Sequence, residues 1–244
     1  MPNRTIDDVI AYLEKREVEH LVHFTRVSNL PRIIQEGIVP RGKLESERSE
    51  VRYFDELRLD QHRERSCFSV SFPNLLMMYK YSKEIEESKE DDGICILFIP
   101  VGDLKKIAKL GRIYFYHTNA ANAIFKKSSE SVSVDGEDIE DLFRDEMSTK
   151  QGRTVNRTDD GIPCFLTTDP QAEVQIDATV PFDLVKFVSV KDIELKLKVE
   201  ELLHRQAKRC YVYQAWKVKG ERAYNVFGYP KCWHNWYGQD KNGE

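Results

Sequence analysis

Residues 93–100, Gly93-Ile94-Cys95-Ile96-Leu97-Phe98-Ile99-Pro100, carry an apolar run bounded by a glycine and a proline. The run is too short for a helix of ordinary length and rich in β-branched and aromatic side chains. It predicts a buried strand, the clearest in the sequence. Outward from it, shorter strands are predicted at 21–24, 67–72, 113–116, 172–176 and 187–190. Helices are predicted at Ile6–Lys15, with Thr5 as N-cap and Val9, Ile10 and Leu13 on one side, and at Leu30–Glu36, stopping at Gly37. A third helix, 192–209, ends basic; 40–64 reads as a long charged surface loop, and 126–144 as a loop leading into a helix that contains Leu142 and Phe143. Helices gather early and strands spread later, an α+β pattern.

The chain has 244 residues, 41% hydrophobic and 32% charged, enough for one domain with a real core; we read 1–244 as a single domain. The formal net charge of −4 argues against a globally basic nucleic-acid binder, but not against a local basic face. The opening MPNRTIDDVIAYLEKR is no secretory signal, and no apolar run is long enough to span a bilayer, so the expected setting is cytoplasmic with no membrane partner. Cys67, Cys95, Cys164, Cys210 and Cys232 are odd in number and contain no C-x-x-C pair. Reduced thiols are expected, and no metal.

Four stretches could carry chemistry. In His23-Phe24-Thr25-Arg26-Val27-Ser28-Asn29-Leu30, a strand end presents an imidazole and a hydroxyl ahead of a helix start, which suits an anionic or amide-bearing ligand; His23 reads equally as a satisfied core histidine. In Thr167-Thr168-Asp169-Pro170-Gln171-Ala172-Glu173-Val174, a carboxylate opens an apolar strand and could stabilise a developing cation or act as a base; a solvated edge glutamate is the plainer alternative. Arg58 in Arg58-Leu59-Asp60-Gln61-His62 could clamp a pyrophosphate, or belong to a solvated charge run. Finally, 204–244 interleaves Lys208, Arg209 and other bases with aromatic residues that include Trp216, Trp233 and Trp236. That is the composition of a phosphate track with stacking platforms, although some of these rings must fill the core.

Taken in order, these motifs resemble the DarT family, toxins that use NAD+ to ADP-ribosylate DNA bases. His23-Phe24-Thr25 with Ser28-Asn29-Leu30 is similar to the family's opening NAD-binding motif. Phe72-Pro73-Asn74 with Met77-Met78-Tyr79 resembles its Pro…Met-x-Tyr segment, and Thr118-Asn119-Ala120-Ala121 resembles a motif of one branch. Gln171-Ala172-Glu173-Val174 resembles the strand bearing the catalytic glutamate, and Trp236-Tyr237 the aromatic C-terminus. The segment Cys67-Phe68-Ser69-Val70-Ser71-Phe72 departs from the more aromatic strand of thymidine-modifying members, which leaves thymine and guanine both open as targets.

The resemblance implies an ADP-ribosyltransferase-like fold with a central mixed/antiparallel β core flanked by helices. It implies NAD+ as co-substrate without a metal, single-stranded DNA as acceptor, and a macrodomain antitoxin (DarG-like) as partner. It further implies Glu173 as catalytic glutamate, His23, Thr25 and Asn29 as NAD+ contacts, and a loop arginine: Arg58, with Arg52, Arg63 and Arg65 as alternatives. The strand groove would then come from Arg153, Arg157, Lys208, Arg209, Trp216 and Trp233. Transfer to RNA or protein, or an inactive nucleic-acid-binding module of the same fold, are the other readings.

Overall fold

The structure, a computed structural model, describes residues 5–47, 62–120, 139–149, 152–212, 215–216, 224–228 and 231–233. Its centre is a seven-stranded sheet in the order β4-β7-β2-β1-β3-β8-β9. These strands are β1 (His20–Arg26), β2 (Ser66–Val70), β3 (Ile94–Pro100), β4 (Ile113–Tyr116), β7 (Glu173–Ile176), β8 (Phe187–Val190) and β9 (Arg209–Val212). Every pairing is antiparallel except β8 with β9. A separate hairpin joins β5 (Glu146–Ser148) to β6 (Thr154–Asn156). The α+β architecture expected from the sequence is the one observed.

β3 is buried along almost its whole length because it lies between β1 and β8 with both faces covered. The first helix, α1 (Ile6–Lys15), begins at a capping box: Asp8 N–H donates to Thr5 Oγ1, and Thr5 N–H to Asp8 Oδ2. It turns Val9 and Leu13 into the core. α2 (Leu30–Glu36) stops at Gly37, whose φ of 86° takes the chain into a bridge between Ile38 and Val180.

Several elements differ from the sequence reading. Within the expected loop 40–64, Arg41–Ser46 is a short helix, and 48–61 lie outside the described residues. A helix at Leu75–Ser88, capped by Asn74, was not foreseen. The helix expected at 192–209 ends at Leu203; the basic residues after it lead into a new strand, so Arg209 belongs to β9. The helix expected around Leu142 is a 3-10 turn, Glu140–Phe143.

Candidate active site

The sheet forks at β2. Its last two residues pair with β1 (Val70 with Leu21, Ser69 with Val22), and its first three pair with β7 (Phe68 with Val174, Cys67 with Gln175, Ser66 with Ile176). β1 meanwhile stays with β3 over its full length. Beyond the Val22–Ser69 pair the two halves of the sheet therefore take different partners, and both candidate motifs lie at the fork.

His23 is the first β1 residue past it. Its Nδ1 lies 2.8 Å from the Cys67 carbonyl, a bond in which the ring must donate, since a carbonyl oxygen can only accept. The imidazole thus closes the fork where a backbone ladder bond would otherwise stand, with its ring 5.3 Å from that of Phe68. Burial holds its pKa below the ordinary histidine value, against the opposing pull of the Cys67 carbonyl. The ring is therefore neutral near pH 7, with Nε2 as the acceptor. Two residues on, the buried Thr25 accepts a hydrogen bond from Asn29 Nδ2 at 3.2 Å across the 3-10 turn Val27–Asn29. Thr25 and Asn29 thus form one local unit, and Thr25 lies two residues beyond His23 on the same strand face.

Glu173 opens β7 opposite Tyr116 of β4. Its carboxylate is half-buried and held at both oxygens: Ala120 N–H donates to Oε2 at 3.2 Å, and Gln175 Nε2 to Oε1 at 3.3 Å. Gln175, fully buried, also reaches Cys67 Sγ at 3.9 Å. Cys67 thereby stands between the two motifs, its carbonyl bound by His23 and its sulfur by Gln175. Sequence reasoning missed Gln175, although its spacing of two from Glu173 on a strand places both on one face. It also missed the Ala120 amide, which comes from the Thr118-Asn119-Ala120-Ala121 motif.

Of the loop arginines, Arg58 and Arg52 lie outside the described residues. Arg63 is exposed and paired with Glu45. Arg65 is buried: its guanidinium lies 3.7 Å from the Tyr114 ring centroid and donates to Tyr116 Oη at 2.9 Å. Tyr116 is the cross-strand partner of Glu173, so Arg65 is the described loop arginine tied to the glutamate's surroundings.

The expected strand groove is not assembled as a unit. Trp233 is 1% exposed, packs edge-on against Phe72 and donates to the Thr167 carbonyl at 3.1 Å, which is a core position and no stacking platform. Arg157 is likewise interior, its guanidinium bound to the chain's own oxygens. Lys208 donates to the Asp183 carbonyl, and Arg209 lies on β9 with four strands between it and the strand of Glu173. Arg153 is exposed in the β5–β6 turn; Trp216 lies in a two-residue strand (Ala215–Trp216) paired with Tyr224–Asn225. Among the described residues no cluster of three His, Cys, Asp or Glu side chains is arranged to hold a metal, and no helix is long and apolar enough to cross a membrane.

The model of the family described as "DarT: ssDNA thymidine ADP-ribosyltransferase" matches residues 22–218. The chain belongs to the DarT family. Solved DarT structures share its fold at low identity. Thermosipho africanus DarTG in complex with ADP-ribose aligns at a TM-score of 0.57 and 13% identity, over 80% of this chain and 50% of that one. Thermus sp. 2.9 DarT in complex with ADP-ribosylated ssDNA gives 0.53 and 14%, over 80% of this chain and 94% of that one. The same Thermus protein in complex with NAD+ gives 0.51 and 16%, over 80% and 96%. The chain thus spans half of the DarTG chain and nearly all of Thermus DarT. Among curated proteins no sequence matches. The matched range takes in His23, Thr25, Asn29, Cys67 and Glu173.

Proposed function

We propose that this chain transfers ADP-ribose from NAD+ to a base of single-stranded DNA, with Glu173 as the catalytic carboxylate. The observation that carries the reading is the joining of the two family motifs at one fork, through Cys67, with the Glu173 carboxylate fixed at both oxygens. The family description names thymidine, which makes thymine the first acceptor to test and guanine the second.

In the reaction the bond between ribose C1′ and the nicotinamide nitrogen breaks. Its electron pair stays with the ring, which leaves as neutral nicotinamide. Positive charge grows at the ribose, the demand that glycoside hydrolases meet with carboxylates. Glu173 stabilises that charge and takes the proton that a base nitrogen loses as it bonds to C1′. His23, Thr25 and Asn29 hold the ribose and amide end of NAD+: a neutral imidazole and a buried hydroxyl suit uncharged hydroxyl and carboxamide groups better than a cation would. Arg58, or Arg65 through Tyr116, supplies positive charge toward the pyrophosphate or the developing charge on the base. The acceptor is single-stranded because a paired base would first have to leave its stack. Control of such an activity falls to the DarG-like macrodomain antitoxin that the family resemblance implies.

Glu173→Ala is expected to lower transfer by roughly 10²–10³-fold or more while circular dichroism and melting stay native. A folded Glu173→Ala protein that modifies DNA at the parental rate refutes the assignment.

A further inference from the structure

The residues just ahead of Glu173 are unusually rich in buried polar groups. Thr167, Thr168 and Asp169 are 3%, 0% and 1% exposed, in a stretch with no helix or strand hydrogen bonding of its own. Such a stretch must find its partners in local turns or in other segments; Thr167 Oγ1 donates to the Asp169 carbonyl at 2.7 Å. Arg157 supplies three bonds to residues 163–168: Nη1 donates to the Leu166 carbonyl at 2.9 Å and to Thr168 Oγ1 at 3.0 Å, and Nη2 to the Pro163 carbonyl at 2.7 Å. Thr168 Oγ1 passes its own hydrogen to the Arg144 carbonyl, and Thr168 N–H bonds the Leu142 carbonyl. Trp233 closes the other side through its indole N–H on the Thr167 carbonyl. Asp169 then receives the Gln171 N–H and sets the turn from which Glu173 starts its strand.

We propose that Arg157 and Trp233 are positioning residues for Glu173: together they clamp residues 163–168 and so fix where the catalytic carboxylate enters the site. The proposal rests on the proposed role of Glu173. It reassigns two residues whose charge and aromaticity first suggested contact with DNA. Arg157 fits a clamp better than a phosphate contact, because all three of its bonds go to neutral oxygens of the segment it holds. Phe143 packs under its guanidinium, 5.7 Å from the ring centroid. Desolvation, with Arg16 nearby, draws its pKa down to about 10, so the group stays charged at neutral pH. The indole of Trp233 brings the short turn Lys231–Trp233 onto the same stretch.

Three variants test this: Arg157→Ala, Thr168→Val and Trp233→Phe, the last keeping an aromatic ring against Phe72 while removing the N–H together with the five-membered part of the indole. NAD+ cleavage and DNA labelling are followed together, with NAD+ affinity measured on each folded protein. The expected result is a kcat drop approaching about 10²-fold in Arg157→Ala, smaller drops in the other two, and KM for NAD+ little changed, because a displaced carboxylate costs rate more than affinity. Guanidinium ion added to Arg157→Ala should restore part of kcat. Should Arg157→Ala fail to fold, Trp233→Phe and Thr168→Val decide alone. Folded variants with parental kcat overturn the clamp. If the parental protein neither cleaves NAD+ nor labels DNA, the proposed function fails instead. The ¹³C shift of the Glu173 carboxyl, compared between parent and Trp233→Phe, then still decides: a moved resonance supports the clamp, an unchanged one rejects it.

Discussion

Two histidines three residues apart on β1 are both held neutral, for different purposes. His20 is wedged between the rings of Phe98 and Phe187, and burial, aided by the charge of Lys186, lowers its pKa to about 4. The unfolded chain takes up this proton near pH 6.5, whereas the native state resists it until about pH 4. Between those values the unfolded state binds more protons, so stability is fully present above 6.5 and falls as pH drops. His20 alone should cost about 2 kcal/mol by pH 5, and His23 adds in the same direction. Melting temperatures measured from pH 7.5 to 5 should fall accordingly, and His20→Phe should flatten the profile; an acid-insensitive parent would contradict the buried neutral state. Gln175 makes a separate prediction. Gln175→Met removes the amide that holds Glu173 Oε1, and kcat should fall about tenfold with NAD+ affinity retained, as steady-state kinetics would show.

At the scale of elements, Gly37 is the sharpest stability test. A Cβ there would meet the Val180 carbonyl oxygen at 2.5 Å, and the φ of 86° disfavours any other residue. Gly37→Ala should destabilise the protein by about 2 kcal/mol or more, read as a lower denaturation midpoint. Most strands were legible because an apolar run between turn residues is decisive: β4 and β8 fall where the sequence placed them. The helix Leu75–Ser88 was not, since its second half is acidic and only Leu75, Met78, Tyr81 and Ile85 are buried. β9 was hidden because Lys208 and Arg209 read as the basic end of a helix. In the site, His23, Thr25 and Glu173 stood out by chemical type. The interior positions of Arg157 and Trp233 were not legible, since a cation bonded to carbonyls and one tracking phosphates look alike in sequence.

Over the whole molecule, the fork at β2 is what brings the two candidate motifs together. It sets the opening motif on one half and the glutamate strand on the other, and Cys67 ties them. The basic residues that the sequence suggests as a single groove are dispersed: Lys208 and Arg209 lie at the β9 edge, Arg153 on the β5–β6 turn, and Arg157 inside. Reversing Arg209 to Glu should therefore leave NAD+ cleavage within about twofold, even if it weakens DNA affinity, because such a contact contributes charge and no chemistry. The most direct test of the central claim is mass spectrometry of single-stranded DNA and RNA oligonucleotides incubated with NAD+ and the protein, with Glu173→Ala alongside. The account predicts one ADP-ribose added to a thymine or guanine of DNA by the parent and none by the variant. Adducts confined to RNA, or a variant as active as the parent, would contradict it.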